Sequence, residues 1–377
     1  MNDFLGRRIW LPGLLALLLG CLGCRHSRAA FYPLGIYAVP STNDLWIARE
    51  AGFNLVTGSA EATYLDAAQR EGLKVLATPG TTAGPRFNPK AARRAVAALD
   101  AHPALWGWYL VDEPDRIQVS PPAVARAHRY LKRVGARKPT VVVLYQGASA
   151  LHYGHLSDLL MIDRYPIPWL PLANFGQNVQ QARLALGKEK PLIAIIQSFD
   201  WTYYPDLLPT RRELRAPIYE EVRCMTYSAL AQRATGLFYY AYADSRWKIL
   251  EHPQSWVDLQ RVVLEVNERL PLFRAEHLWW PQDSKYRNGS AAWNAALESS
   301  ISLALLRVRT GTALVPSGDY VLGVNTTPLT QFCSFTPPRT AAQRLAALGE
   351  NRSLEIRAGW VEDEFAPYAV HVYGPVR

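Results

Sequence analysis

Eight short apolar segments recur between residues 34 and 242 and constrain the fold more than any other feature of the chain. They are continuous apolar runs, which is typical of parallel strands covered on both faces. The segments are 34–39, 53–58, 73–78, 105–111, 140–145, 158–163, 191–196 and 236–242. Helical patterns lie between them, and several of these patterns end in a glycine, as helices often do. The alternation of eight strands with helices predicts a closed (β/α)8 TIM barrel over residues 30–275.

An open, doubly wound sheet is the alternative architecture for the same alternation. It would carry a glycine-rich phosphate-binding loop after the first strand, but that stretch reads AVPSTND and lacks the motif. The pattern changes near residues 276–300, where a polar linker is followed by short, partly alternating segments. These segments predict a small antiparallel β-sandwich over residues 276–377.

The composition excludes several classes of protein. With 49% hydrophobic and 19% charged residues, the 377-residue chain can bury a large core. The net charge is +9, but the basic residues are scattered, and no zinc-finger, helix-turn-helix or RNA-recognition pattern is present. We therefore predict no nucleic-acid partner. The eight histidines show no metal-ligand spacing, so no metal or cofactor is implied either.

The first 24 residues resemble the signal peptide and anchor region of a bacterial lipoprotein. Arg7 and Arg8 precede an apolar stretch that is short for a membrane span. The stretch runs into LLGC, which is similar to the lipobox. The resemblance implies that Cys21 is lipidated and becomes the mature N-terminus; Cys24 is the alternative, and so is an ordinary secretory signal. We expect an exported protein, lipid-anchored at the periplasmic or cell-surface face of a bacterial membrane.

The fourth predicted strand ends in a pair of acids. In LWGWYLVDEPD, Asp112 and Glu113 follow the strand directly, and Pro114 stops it. Active sites of (β/α)8 barrels are built where the C-terminal ends of the strands converge. The motif resembles the large clan of retaining (β/α)8 glycoside hydrolases, in which the acid/base glutamate follows strand four as Asn-Glu-Pro. The resemblance implies that Glu113 is the general acid and that Asp112 replaces the asparagine that binds the sugar 2-hydroxyl.

The seventh strand departs from this family. Retaining members carry a nucleophilic glutamate at its end, whereas this chain reads IAIIQSFDW and has Gln197 there. A neutral amide cannot form the covalent glycosyl intermediate of a retaining mechanism. One hypothesis therefore makes another carboxylate the partner of Glu113: Asp163 at the end of strand six, with Asp200 and Asp244 as alternatives. A separation of about 6.5–9.5 Å from Glu113 would permit an inverting mechanism.

Two further hypotheses remain open. In the first, Asp112 and Glu113 divide the catalytic roles between them, although neighbouring residues of a strand point to opposite faces. In the second, the barrel keeps a cleft that binds sugar but has lost the ability to hydrolyse it.

Aromatic residues follow several predicted strands, and their ring faces can stack on pyranose rings. The predicted substrate-binding side chains, besides Asp112, are Tyr37, Tyr165, Gln197, Trp201 and Tyr242. The sequence thus predicts a glycoside hydrolase-like lipoprotein that binds an oligo- or polysaccharide and hydrolyses a glycosidic bond with Glu113 as general acid. The alternative is a non-catalytic carbohydrate-binding lipoprotein.

Overall fold

The computed structural model describes residues 31–207, 213–279, 300–338 and 340–376. The predicted signal peptide and the lipidation site at Cys21 lie outside these ranges, so export and membrane anchoring stay predictions. Within the described ranges, no helix combines the length and the apolar character that crossing a bilayer requires.

Eight parallel strands form a closed barrel in sequence order, and the first strand pairs with the eighth through Leu34 and Leu237. The strands are β1 Leu34–Ile36, β2 Leu55–Thr57, β3 Lys74–Ala77, β4 Leu105–Val111, β5 Thr140–Leu144, β6 Leu159–Asp163, β7 Leu192–Gln197 and β8 Gly236–Tyr240. Closure through this pair confirms the predicted (β/α)8 barrel and excludes the open sheet.

Helices surround the barrel and cover the outer face of its strands. They are α1 Leu45–Glu50, α2 Ala62–Arg70, α3 Pro89–Leu99, α4 Pro121–Arg133, α5 Ala150–Tyr153, α6 Ala173–Leu186, α7 Tyr219–Ala231, α8 Pro253–Glu268 and α9 Leu270–Phe273. The start of α3 shows why helices begin where they do. Asn88 accepts hydrogen bonds from the backbone N–H groups of Lys90 and Ala91, and Pro89 occupies the first turn, where it costs no hydrogen bond.

Strand β4 is anchored below its acidic end by Trp108. This side chain is completely buried, and its Nε1 donates a 2.9 Å hydrogen bond to Asp100 at the end of α3. Asp100 also accepts hydrogen bonds from the backbone N–H groups of Arg137 and Lys138, just before β5. The indole therefore ties β4 to the segments that precede it and follow it.

The chain continues into an antiparallel β domain, as the fold-class prediction requires. Its strands are β9 Glu276–Leu278, β10 Ile301–Val308, β11 Gly318–Asn325, β12 Gln331–Phe335, β13 Arg344–Ala346, β14 Ser353–Glu355, β15 Val361–Phe365 and β16 Val370–Val376. A four-stranded sheet has the order β16-β11-β10-β9. Two antiparallel two-stranded sheets accompany it, one formed by β12 and β15 and the other by β13 and β14.

Both faces of the four-stranded sheet are buried. Alternate side chains of β10, such as Leu303 and Leu305, belong to the core of the β domain. Their neighbours, such as Leu306, pack into the barrel core instead. Two hydrogen bonds cross the same boundary, from Cys224 Sγ to the backbone oxygen of Asn325 and from Arg223 to that of Val370. The sheet therefore forms a wall that the two parts of the protein share.

Candidate active site

A cavity of about 200 Å³ opens at the C-terminal ends of the barrel strands. This is the face on which the βα loops of (β/α)8 enzymes converge. Its charged lining residues are Asp112, Glu113, Arg116, Asp163 and Arg164, and its aromatic ones are Tyr37, Tyr145, Tyr165, Trp169, Phe199, Trp201, Tyr204 and Tyr240. Six of the predicted site residues, contributed by four different strand ends, therefore meet in one cavity: Tyr37, Asp112, Glu113, Asp163, Tyr165 and Trp201.

Glu113 follows β4 and is only 8% exposed. Its backbone φ is +39°, in the left-handed region that non-glycine residues seldom occupy. Such conformations cost about 1–3 kcal/mol and gather at functional sites, where the surrounding structure enforces them. The carboxylate forms an ion pair with Arg116, one turn further along the chain. Glu113 is thus held by an arginine, but at the wall of a cavity lined with aromatic rings.

Asp163 ends β6, is only 4% exposed and lines the same cavity as Glu113. Burial, followed by repulsion from the charge of Glu113, raises the pKa of Asp163 well above its ordinary value of 3.8. Burial also raises the pKa of Glu113, although the hydrogen bond from Arg116 opposes this change. Burial and the neighbouring negative charge therefore favour the protonated form of Asp163, whereas the ion pair with Arg116 favours the ionised form of Glu113.

The spacing of these carboxyls distinguishes the hydrolytic mechanisms. An inverting pair needs about 6.5–9.5 Å between its carboxyls to accommodate a water molecule, and a retaining pair about 5–5.5 Å. Asp163 lines the same cavity as Glu113, and its role as the partner carboxylate of an inverting mechanism stays a prediction.

The raised pKa of Asp163 makes a prediction about stability. An unfolded aspartic acid loses its proton near 3.8, whereas the folded Asp163 keeps it to higher pH. The folded state then binds more protons than the unfolded state, so stability falls as pH rises from 3.8 through the raised pKa. Asp163→Asn removes this loss, and we expect the melting temperature of the wild type to fall relative to that of the variant across this window.

Asp158→Asn provides the control for this measurement. Burial alone would raise the pKa of Asp158, but hydrogen bonds from Lys132 and Thr140 outweigh it and lower the pKa. Its contribution is therefore present at higher pH and is lost as pH falls through the lowered pKa, so the wild type should lose stability relative to Asp158→Asn in acid. Parallel stability curves for wild type and Asp163→Asn would contradict the raised pKa of Asp163.

Asp112 lies at the exposed mouth of the cavity. It accepts a 2.6 Å hydrogen bond from the hydroxyl of Tyr109, which in turn lies 3.5 Å from the hydroxyl of Tyr37. Asp112 nevertheless lines the same cavity as Glu113 and Asp163. A division of catalytic roles between Asp112 and Glu113 stays a prediction.

Two residues predicted to bind substrate do not line the cavity. Gln197 is completely buried; its amide donates to the backbone oxygens of Ile167 and Phe199 and accepts from the N–H of Ile167. It joins the loops after β6 and β7 and has no free group for a sugar hydroxyl. Tyr242 is buried beside Trp256, because β8 ends two residues earlier than expected and places Tyr240 at the cavity instead.

The alternative carboxylates also have structural roles outside the cavity lining. Asp200 accepts a 2.7 Å hydrogen bond from the backbone N–H of Thr202 and caps the short helical turn after β7. Asp244 accepts hydrogen bonds from the hydroxyls of Tyr204 and Tyr240, two rings of the cavity wall. Asp163 is therefore the carboxylate that the fold brings to Glu113.

Arg164 follows Asp163 directly in the chain and also lines the cavity. Its guanidinium lies 4.7 Å from the centroid of the Tyr145 ring, and its Nε donates a 2.6 Å hydrogen bond to Asn174. In the part of the chain that the structure describes, Arg164 makes no ion pair, and no cluster of His, Cys, Asp or Glu is arranged to hold a metal ion. The ring and the amide fix Arg164 without neutralising its charge.

No family model matches this sequence, and no curated protein matches it either. Solved structures do resemble the fold. A GH42 β-galactosidase from G. stearothermophilus has a TM-score of 0.60 at 9% identity, over 93% of this chain and 99% of that chain. An α-amylase from Geobacillus thermoleovorans, complexed with acarbose, has a TM-score of 0.53 at 10% identity, over 88% and 90%. AmyP in complex with maltose has 0.52 at 10% identity, over 88% of each chain. At these identities the likeness establishes the fold alone, a (β/α)8 barrel.

Proposed function

We propose that this protein is a glycoside hydrolase-like protein that binds a saccharide in the cavity and hydrolyses a glycosidic bond with Glu113 and Asp163. The observation that carries the proposal is that Glu113 and Asp163 line one aromatic cavity at the C-terminal face of the barrel. In this proposal the two carboxyls share one proton, and the pair supplies both an acid and a base, which glycoside hydrolysis requires.

The chemistry follows from the positions of the two groups. A glycosidic oxygen that enters beside Glu113 takes the shared proton from the pair as the bond between the anomeric carbon and that oxygen breaks. The ionised pair then stabilises the positive charge that develops on the sugar ring. A water molecule adds its hydroxyl to the anomeric carbon, and its remaining proton returns to the pair. Glu113 acts as the proton donor at the cavity, and Asp163 retains the proton between turnovers.

The lining favours a sugar over a more polar or wholly apolar ligand. Trp201 contacts both Tyr165 and Trp169 edge to face, and the three rings form an aromatic wall. Flat rings of this kind stack on the C–H faces of pyranose rings, while tyrosine hydroxyls and indole N–H groups reach the sugar hydroxyls. The acarbose bound to the similar α-amylase and the maltose bound to AmyP occupy proteins of the same fold.

The assignment of Asp163 as the second carboxylate is tested by a matched pair of substitutions. We expect Asp163→Asn to lower kcat on a cleaved saccharide by about 10²–10⁴-fold, because the amide cannot hold the shared proton. Asp200→Asn, which alters a capping carboxylate outside the cavity lining, should retain near wild-type kcat. Kinetics on aryl glycosides and polysaccharides, with product detection by chromatography, give the answer. An Asp163→Asn enzyme with unchanged kcat would remove Asp163 from the mechanism.

A second candidate function is non-catalytic carbohydrate binding. Gln197 favours it, because the amide stands where the retaining family has its nucleophile and is fully occupied by backbone groups. The two candidates differ in one measurement on the wild-type protein. Saccharide binding by calorimetry with no product after long incubation supports the binding protein, whereas product formation supports the hydrolase.

A further inference from the structure

Two hydrogen-bond donors without a partner lie in the segments of the cavity wall that follow β6 and β7. The indole Nε1 groups of Trp169 and Trp201 have no hydrogen-bond partner among the described residues, and both residues line the cavity. Their ring centroids are 5.9 Å apart, so the two donors belong to one wall. Buried donors without an acceptor are rare in folded proteins, because each loses its hydrogen bonds to water without compensation. These groups are therefore available to a ligand with acceptor atoms.

Arg164 adds a positive charge to the same cavity. Its guanidinium is held by the ring of Tyr145 and by Asn174, neither of which carries a negative charge. Among the acids that line the cavity, Glu113 pairs with Arg116 and Asp112 accepts a hydrogen bond from Tyr109. The third, Asp163, forms no ion pair with Arg164 in the described structure. Arg164 thus differs from Arg116, because the planar, fixed guanidinium retains donors for a bidentate acceptor from outside the chain.

We propose that Arg164 selects saccharides that carry an acidic substituent, a carboxylate as in a uronic acid or a sulfate ester. This inference rests on the proposed saccharide-binding function and names its substrate class. The carboxylate or sulfate oxygens accept hydrogen bonds from the guanidinium of Arg164, and the sugar ring stacks against the aromatic wall. The net charge of +9 attracts such ligands toward the protein at long range.

The test compares acidic and neutral sugars that differ in one group. Glucuronate and glucose, and galacturonate and galactose, are titrated by calorimetry into the wild-type protein, together with glucose 6-sulfate. We expect each acidic sugar to bind roughly ten- to a hundredfold more tightly than its neutral counterpart, as a charge-assisted hydrogen bond provides. The carboxylate and sulfate arms show which anion the guanidinium prefers, and preference for either over the neutral sugar supports the proposal.

Substitutions assign the preference to this side chain. Arg164→Gln should lower the affinity for the acidic sugar far more than the affinity for the neutral sugar, so that the preference is abolished, and Arg164→Lys should restore part of the preference. Arg261→Gln is the matched control, because Arg261 also lies over a tyrosine ring, that of Tyr219, at 3.8 Å but outside the cavity. The control variant should keep the wild-type preference.

The outcomes separate this inference from the function on which it rests. Equal affinity for acidic and neutral sugars, or an equal loss of both in Arg164→Gln, overturns the selection by Arg164 while saccharide binding stands. If the wild-type protein neither binds nor cleaves any of the sugars or polysaccharides, the proposed function itself is wrong, and the inference falls with it.

Discussion

Glu113→Gln is expected to reduce hydrolysis by about 10²–10⁴-fold while the fold and saccharide binding persist. Glutamine has the shape of glutamate and can still accept a hydrogen bond from Arg116, but it can neither donate nor retake the proton of the pair. The loss should therefore appear in kcat rather than in KM. Steady-state kinetics measure the rate, and calorimetry with circular dichroism measures binding and fold.

Glu355→Gln is the control for this substitution. Glu355 is the last residue of β14 and forms an ion pair with Arg357. The substitution therefore removes an arginine-paired carboxylate far along the chain from the cavity residues. Its activity should match that of the wild type. A Glu113→Gln enzyme that turns over at the wild-type rate would show that another group donates the proton.

Trp108→Ala is expected to lower the free energy of unfolding by about 3–5 kcal/mol, the cost of deleting a large buried aromatic side chain. The indole is completely buried in β4, and its Nε1 hydrogen bond to Asp100 is lost as well. Equilibrium unfolding in urea, followed by fluorescence and circular dichroism, measures the change.

Two further variants interpret this result. Trp108→Phe keeps most of the buried ring and should cost less than the alanine variant. Trp46→Ala removes a tryptophan that is 54% exposed and should change stability by about 0.5 kcal/mol or less. An alanine variant at position 108 as stable as the wild type would show that β4 does not depend on this anchor.

The residues that end strands were predictable from the sequence. An apolar run followed by an acid identifies a strand end, and a closed parallel barrel brings all strand ends to one face. The sequence therefore predicts that Glu113 and Asp163 lie on one face of the barrel, and both line the cavity. The distance between their carboxyls could not be predicted, because it depends on the rotation of two side chains on strands that are not neighbours in the barrel.

The misplaced residues share a different cause. Gln197 ends β7 as predicted, but a loop 30 residues away satisfies its amide, and nothing in the local sequence indicates that partner. Tyr242 was predicted for the cavity because β8 was extended by two residues, whereas Tyr240 closes the strand. Arg164 is positioned by Tyr145, which follows the neighbouring strand, so this contact depends on the pairing of β5 with β6.

The sheet whose alternate side chains serve two cores has a consequence for how this protein can be handled. Expression of residues 30–275 alone would leave the α7 side of the barrel without its cover, and the apolar side chains there would favour aggregation. The C-terminal strands are therefore unsuited to removal or exchange as an independent cassette, and comparative or engineering work on the barrel should retain them in full.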